Sequence, residues 1–393
     1  MIPRILQGKL LKAAKTMPIL AVIGPRQSGK TTLVKHAFPK KKYISLENFD
    51  VRQAAEQDPR GFLNSYPQGA ILDEVQKVPS IFSYLQSIVD EKDEAGQFIL
   101  TGSQHFLLHE KISQSLAGRA AFFTLLPLSF DELQNYRHPF SSLEEAVFQG
   151  FYPRLYAHKI QPAQWYPDYI QTYVERDVRT LKNITDLSLF QKFLKLCAGR
   201  TGQFLNLSSL AADCGITHNT AKSWLSVLQA SFIIFLLQPH FKNFRKRLVK
   251  MPKLYFYDTG VACSLLGIEN KEQLKTYPLR GNLFENLIIA EFMKYRMHRG
   301  LKPNYFFWRD KAGHEIDCLL EYAKKTVVVE IKSGTTVPKE YFDNINYWNK
   351  LSGGQSKDSF VIYGGEENRH QNFGNLAGWK NMLDIMNQAS VDI

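Results

Sequence analysis

The run Gly24, Pro25, Arg26, Gln27, Ser28, Gly29, Lys30 and Thr31 follows G-x-x-x-x-G-K-[ST], the spacing that cradles a polyphosphate. Backbone N–H groups of such a loop converge on a β-phosphate at a helix N-terminus, where unpaired amides and the helix dipole favour an anion. Lys30 is expected to reach the β- and γ-phosphates. The Thr31 hydroxyl, with Thr32 beside it, is expected to help complete a Mg²⁺ shell, so ATP and Mg²⁺ are the implied cofactors. Asp73 and Glu74 end the apolar run that starts at Gly69. Asp73 suits contact with a Mg²⁺-bound water, and Glu74 suits a base that polarises the attacking water. Ser103, with Thr101, ends the next apolar run and offers a hydroxyl to the γ-phosphate or the lytic water. Arg119 is a candidate arginine finger for the γ-phosphate of a neighbouring copy, which implies a homo-oligomer; the plain alternative is a surface ion pair.

A second set lies in the last third: Glu285, Asp317, Glu330 and Lys332. Glu330 and Lys332 alternate with Ile331, so on a strand they share one face. Asp317 sits in an apolar run, where an unpaired carboxylate is costly. The order E…D…E-x-K resembles the PD-(D/E)xK nucleases. That likeness implies a second Mg²⁺ held by Glu285, Asp317 and Glu330, with Lys332 beside the nucleophile of phosphodiester hydrolysis. The same scaffold can also bind DNA without cutting it.

These residues need particular elements beneath them. Apolar residues 18–23 and the helical pattern from Thr31 supply the strand and helix that a P-loop requires. From Asp131 to about Phe193 the periodicity predicts helices, read as a lid and linker, with Arg154 and Arg176 as possible nucleotide sensors. Residues 207–228 have the layout of a helix-turn-helix: small alanines on the first helix, Gly215 at the turn, Ile216 plugging the core, and a second helix from about Asn219. A β-like run 231–238 follows. Lys242, Arg245, Lys246, Arg247, Lys250 and Lys253 then form a basic hairpin with no acid among them, and winged helices place such cations on phosphates. A protein-packing role for this module is the alternative. Tyr305, His314 and Thr326 open three further strands, 360–363 one more, and 379–383 reads as a terminal helix.

The chain has 393 residues, enough for several domains. The expected division is a P-loop core at 1–135, a helical lid at 136–195, a winged helix at 196–262 and a nuclease-like α/β domain at 263–393. A net charge of +12 favours a polyanionic partner, here DNA. The 4 cysteines are scattered without paired spacing, which argues against a disulfide framework or a zinc site. No apolar run approaches the ~20 residues of a membrane span. The amino end reads as an amphipathic helix rather than a signal peptide, so a cytoplasmic home and no membrane partner are expected.

Taken together, the chain resembles a large family of bacterial and archaeal AAA-type ATPases that carry a C-terminal domain of unknown function. The likeness runs from Ile2 to about Ser333. It rests on residues 24–32, 72–76, 100–104, 115–119, 173–178, 246–260, 313–317 and 329–334. It implies an α/β protein with an AAA-type ATPase core, ATP binding and hydrolysis, and a winged helix joined to a nuclease-like fold. The leading expectation is an ATP-dependent protein that binds and remodels DNA. The alternative is a nucleotide-gated signalling or defence switch whose C-terminal modules make protein contacts.

Overall fold

The computed structural model describes residues 2–92, 94–103, 116–134, 136, 140–174, 186–240 and 250–391. Arg176 and the basic stretch 241–249 lie outside them. The first domain is a parallel sheet of β1 (Ile19–Ile23), β2 (Lys42–Ser45), β3 (Ala70–Asp73), β4 (Phe98–Gly102) and β5 (Ala120–Thr124). Their order is β2-β3-β4-β1-β5, and every pair is parallel. The short apolar strands are buried on both faces, as a parallel sheet requires. Alternate side chains divide between two layers. Leu20, Val22, Ile71 and Ile99 meet Leu6 and Leu10 of α1 (Leu6–Ala13) and Leu33 of α2 (Lys30–Ala37). Ile19, Ala21, Leu72 and Leu100 face the other layer, with α3 (Phe49–Gln57), α4 (Pro59–Asn64) and α5 (Ile81–Lys92). The strand order sets β4 between the P-loop strand and the acid-bearing strand, so Gly24, Asp73 and Ser103 lie at one end of the sheet.

Four helices follow: α6 (Phe130–Gln134), α7 (Leu143–Gln149), α8 (Pro153–His158) and α9 (Pro162–Tyr169). Proline at the first helical position starts both α8 and α9, where its missing N–H costs nothing. The next helix, α10 (Leu187–Ala198), straddles the boundary expected at 195. Its Phe190 and Phe193 pack edge-on against Trp224, so its apolar face joins it to the module that follows. That module adds α11 (Leu207–Cys214) and α12 (His218–Ala230). Gly215 turns between them at φ 83°, a left-handed conformation suited to glycine. The Thr217 hydroxyl caps α12 by accepting the Thr220 N–H. Strands β6 (Gln203–Phe204), β7 (Ile234–Leu237) and β8 (Lys253–Phe256) form an antiparallel sheet in the order β6-β8-β7. Three helices and this sheet form one module, and the basic hairpin expected at 241–249 lies outside the described residues.

Helix α13 (Thr259–Leu265) packs back on α7, its Cys263 thiol reaching the Val147 carbonyl. The last domain is a six-stranded sheet of β9 (Tyr305–Arg309), β10 (Glu315–Glu321), β11 (Thr326–Lys332), β12 (Ser359–Tyr363), β13 (Arg369–Gln371) and β14 (Gly374–Gly378). Helix α14 (Arg280–Met297) covers one face. On the other, Ile345 and Trp348 of α15 (Asp343–Ser352) meet Trp308, Ile316 and Val328. The terminal helix α16 is Asp384–Val391; residues 379–383, where the sequence suggested it, hold only a short turn at Trp379–Asn381. Among the described residues no helix is long and apolar enough to cross a membrane.

Candidate functional site

Loop 24–29 leaves β1 by a backbone path that few residues tolerate. Gly24 has φ 151°, and a Cβ there would stand 2.1 Å from the Leu125 carbonyl oxygen. Gly29 at φ 93° turns the chain into α2, and Gln27 is also left-handed, at φ 60°. The Lys30 side chain is buried, and its Nζ donates to the carbonyls of Gly24 (2.9 Å) and Pro25 (2.8 Å). Thr31 donates its hydroxyl to Asp73 Oδ2 at 2.9 Å, and the Tyr43 hydroxyl donates to the same oxygen at 2.6 Å. Thr101 donates to the other carboxylate oxygen. Burial and the Asp73 carboxylate push the Tyr43 phenol well above its usual range, so it remains a donor. Glu74 follows β3 in a left-handed turn at φ 57°. Its Oε2 accepts the Ser103 hydroxyl at 3.2 Å and the Gln76 amide. A cleft of about 470 Å³ opens over Lys30, Thr31 and Glu74, with Ile2, Pro153 and Arg154 among its walls.

The structure therefore brings Lys30, Thr31, Asp73, Glu74 and Ser103 together. It does not bring Arg119 to them. The Arg119 carbonyl accepts the Ile19 N–H at the start of β1, at the opposite end of the sheet. Its guanidinium pairs with Asp90 on α5, at 2.8 Å for Nη2. Within one chain Arg119 is thus the surface ion pair that the sequence left as the alternative.

One residue of the loop's support escaped the sequence reading. Arg4 is buried and donates to the carbonyls of Ser28 and Leu126, both at 2.7 Å, and to Glu132 Oε2 at 3.0 Å. The signal was a lone arginine amid the apolar residues Ile2, Ile5 and Leu6. Burial alone would raise the Glu132 carboxyl, but Arg4 and the N–H groups of Ser129 and Ile5 outweigh it and hold it below its ordinary value. His298, fully buried beside Arg4 and Glu132, is pushed down to about 3 by desolvation and stays neutral.

Residues 16–134 match a family model described as an AAA domain. That stretch is an AAA-type P-loop domain. Beyond the AAA domain, residues 141–272 match a domain of unknown function (DUF8612) and residues 280–380 another (DUF4143). The uncharacterized proteins Mb2031c of Mycobacterium bovis and Rv2008c of Mycobacterium tuberculosis are each 28% identical over 335 residues, 84% of this chain and 73% of theirs. Among solved structures, the Walker-type ATPase PABY2304 of Pyrococcus abyssi aligns at a TM-score of 0.41 and 17% identity, over 66% of this chain and 94% of its own. AMPPCP-bound DnaA from Aquifex aeolicus aligns at 0.29 and 14%, over 57% and 86%.

Beyond the AAA domain, Glu285 of α14, Asp317 of β10, and Glu330 and Lys332 of β11 do converge. Lys332 Nζ lies 2.6 Å from Glu330 Oε2 and 3.7 Å from Asp317 Oδ2. The Ile331 N–H donates to Asp317 Oδ2 at 2.8 Å. The cation at their centre, however, is Lys253 of β8. Its Nζ lies 2.9 Å from Glu285 Oε1, 2.5 Å from Glu315 Oε1 and 3.8 Å from Asp317 Oδ1. The Tyr255 hydroxyl also donates to Glu285 Oε1. Two expectations change here. Lys253 does not lie on the surface for a phosphate. Glu285, Asp317 and Glu330 do not form a free Mg²⁺ site, and among the described residues no three acidic, His or Cys side chains are disposed to hold a metal. Burial, and then Asp317, raise the Glu330 carboxyl well above its ordinary value, against the opposing pull of Lys332.

Proposed function

We propose that the AAA domain hydrolyses ATP with Mg²⁺ and uses the cycle to rearrange DNA held on α12, in the cytoplasm. The observation that carries the first part is the Thr31 to Asp73 hydrogen bond of 2.9 Å with Glu74 adjoining, held by Ser103. Hydroxyl and carboxylate oxygens are the ligands Mg²⁺ prefers, so Thr31 and Asp73 fit it. Bound there, Mg²⁺ supplies neutralisation of phosphate charge. Lys30 exchanges the loop carbonyls for the β- and γ-phosphates, and backbone amides of residues 25–30 take the β-phosphate. Glu74 accepts the proton of the attacking water, and Ser103 fixes its carboxylate. Arg119 would contribute only to a neighbouring copy's nucleotide, after leaving Asp90.

The DNA part rests on α12, whose His218, Asn219, Lys222, Ser226 and Gln229 are exposed. These side chains can donate to or accept from base edges and phosphates, and the net charge of +12 favours the approach. Lys253 fills the carboxylate cluster, which argues against DNA cleavage there. One observation favours the switch reading instead: the segment that follows β7 is docked on β9, with the His240 N–H on the Phe307 carbonyl at 2.7 Å. ATP turnover by the wild type and Lys30→Ala, with duplex, single-stranded or branched DNA, separates the two. Turnover that rises several-fold with one DNA class and vanishes in the variant supports the proposal. Turnover indifferent to all DNA supports a nucleotide-gated switch.

A further inference from the structure

A cluster of acids that resembles a nuclease centre invites a divalent ion, but every carboxylate in it already has a cationic partner. Lys253 serves Glu285 and Glu315, Arg309 serves Glu315 at 3.0 Å, and Lys332 serves Glu330 and Asp317. The Lys253 ammonium is 3% exposed and stands between the rings of Phe204 and Phe307, 5.7 and 5.9 Å from their centroids. Its neighbours in β8 pair with both β6 and β7, so its position is fixed by a sheet outside the C-terminal domain. A magnesium ion needs oxygens at roughly 2.0–2.1 Å in octahedral geometry. Entry here would leave an ammonium buried among the ion's own ligands, an unpaired charge that the buried setting strongly disfavours.

We propose that the carboxylate cluster of the C-terminal domain is a lysine-filled site, in which Lys253 is the resident cation, excludes divalent metal, and fastens the winged-helix module to the C-terminal domain. The cluster serves as an interdomain clasp rather than a cutting centre. This does not depend on ATP turnover.

Mn²⁺ binding to the full-length, nucleotide-free chain, followed by electron paramagnetic resonance, tests it. Wild type and Asp317→Asn should bind the same amount of Mn²⁺. Lys253→Met, which keeps the side-chain length without the charge, should bind one further equivalent that disappears in Lys253→Met with Asp317→Asn. Binding in the wild type that Asp317→Asn removes would overturn the proposal, as would a folded Lys253→Met that gains none. If Lys253→Met does not fold, the comparison of wild type with Asp317→Asn decides alone. Glu315→Gln, at a more exposed carboxylate, takes the place of Asp317→Asn should that variant not fold.

Discussion

Glu74 is the residue on which the hydrolytic proposal turns, because its carboxylate adjoins the Thr31–Asp73 pair yet makes its own bonds to Ser103 and Gln76. Glu74→Gln keeps the shape and removes the base. It should lower kcat by roughly 10²–10⁴-fold with little change in ATP affinity, read by turnover and by fluorescent-nucleotide titration; equal loss of both would assign Glu74 to binding instead. Arg4, Glu132 and His298 carry a different prediction. In the folded chain His298 titrates at about 3, against an ordinary 6.5, so between those values the unfolded chain binds the extra proton. Its stability contribution is complete above pH 6.5 and declines as pH falls toward 3. Glu132 is held below its ordinary 4.5, so its contribution too is lost as acid is added. Thermal melts should therefore show a midpoint falling from pH 6.5 downward, with a shallower fall above pH 5 in His298→Gln. The contiguous motif 24–31 was legible in sequence because its chemistry is local. Arg4 and Lys253 were not, because their partners lie 24 to 128 positions away for Arg4 and 32 away for Lys253 with Glu285. Sequence spacing says nothing about which carboxylate a buried cation will meet.

The elements were mostly readable, for a physical reason: strands such as Ile19–Ile23 and Phe98–Gly102 are buried along their whole length and so are written in unbroken apolar residues. The helix-turn-helix was equally plain, since Gly215 at φ 83° and the Thr217 cap are local signals. Less readable was the placement of α10, which an amphipathic pattern predicts as a helix without naming the neighbour that receives Phe190 and Phe193. Nor could the pattern show that Pro239, just past β7, bridges to Phe307 of the C-terminal sheet. Helix α12 keeps one face free, and the consequence is measurable there. Lys222 is exposed on that face and, if it meets a phosphate, Lys222→Ala should weaken binding to all duplexes alike and reduce the salt slope by about 1. Fluorescence anisotropy across a salt series reads both quantities. A loss confined to one sequence would instead assign Lys222 to base recognition.

Across the whole molecule, the nucleotide loop and the C-terminal domain are connected by buried polar contacts. The Ser28 carbonyl is held by Arg4, Arg4 by Glu132, and His298 stands against both at the end of α14. The Phe130 N–H donates to Glu291 of α14 at 2.7 Å, and Lys294 neutralises that carboxylate from one turn away. Nearer its start the same helix grips β8: the Asn286 side chain accepts the Phe256 N–H at 2.7 Å and donates to the Phe256 carbonyl at 2.8 Å. One amide thus satisfies a backbone pair that has little else to bond with in a buried setting. Asn286→Ala leaves both groups of Phe256 unpaired, at a cost of about 1–3 kcal/mol for each. Because Asn286 sits beside the Lys253 clasp, its removal should loosen the sheet of β6, β7 and β8 from α14 while the parallel sheet of the AAA domain is untouched. Urea unfolding of this variant should show a lowered midpoint and hydrogen exchange that quickens in β8 and α14 but not in β1 or β4. Uniform quickening would mean that the domains unfold only together. An unchanged midpoint would mean that water replaces the amide and that the grip of α14 on β8 lies with Lys253 alone.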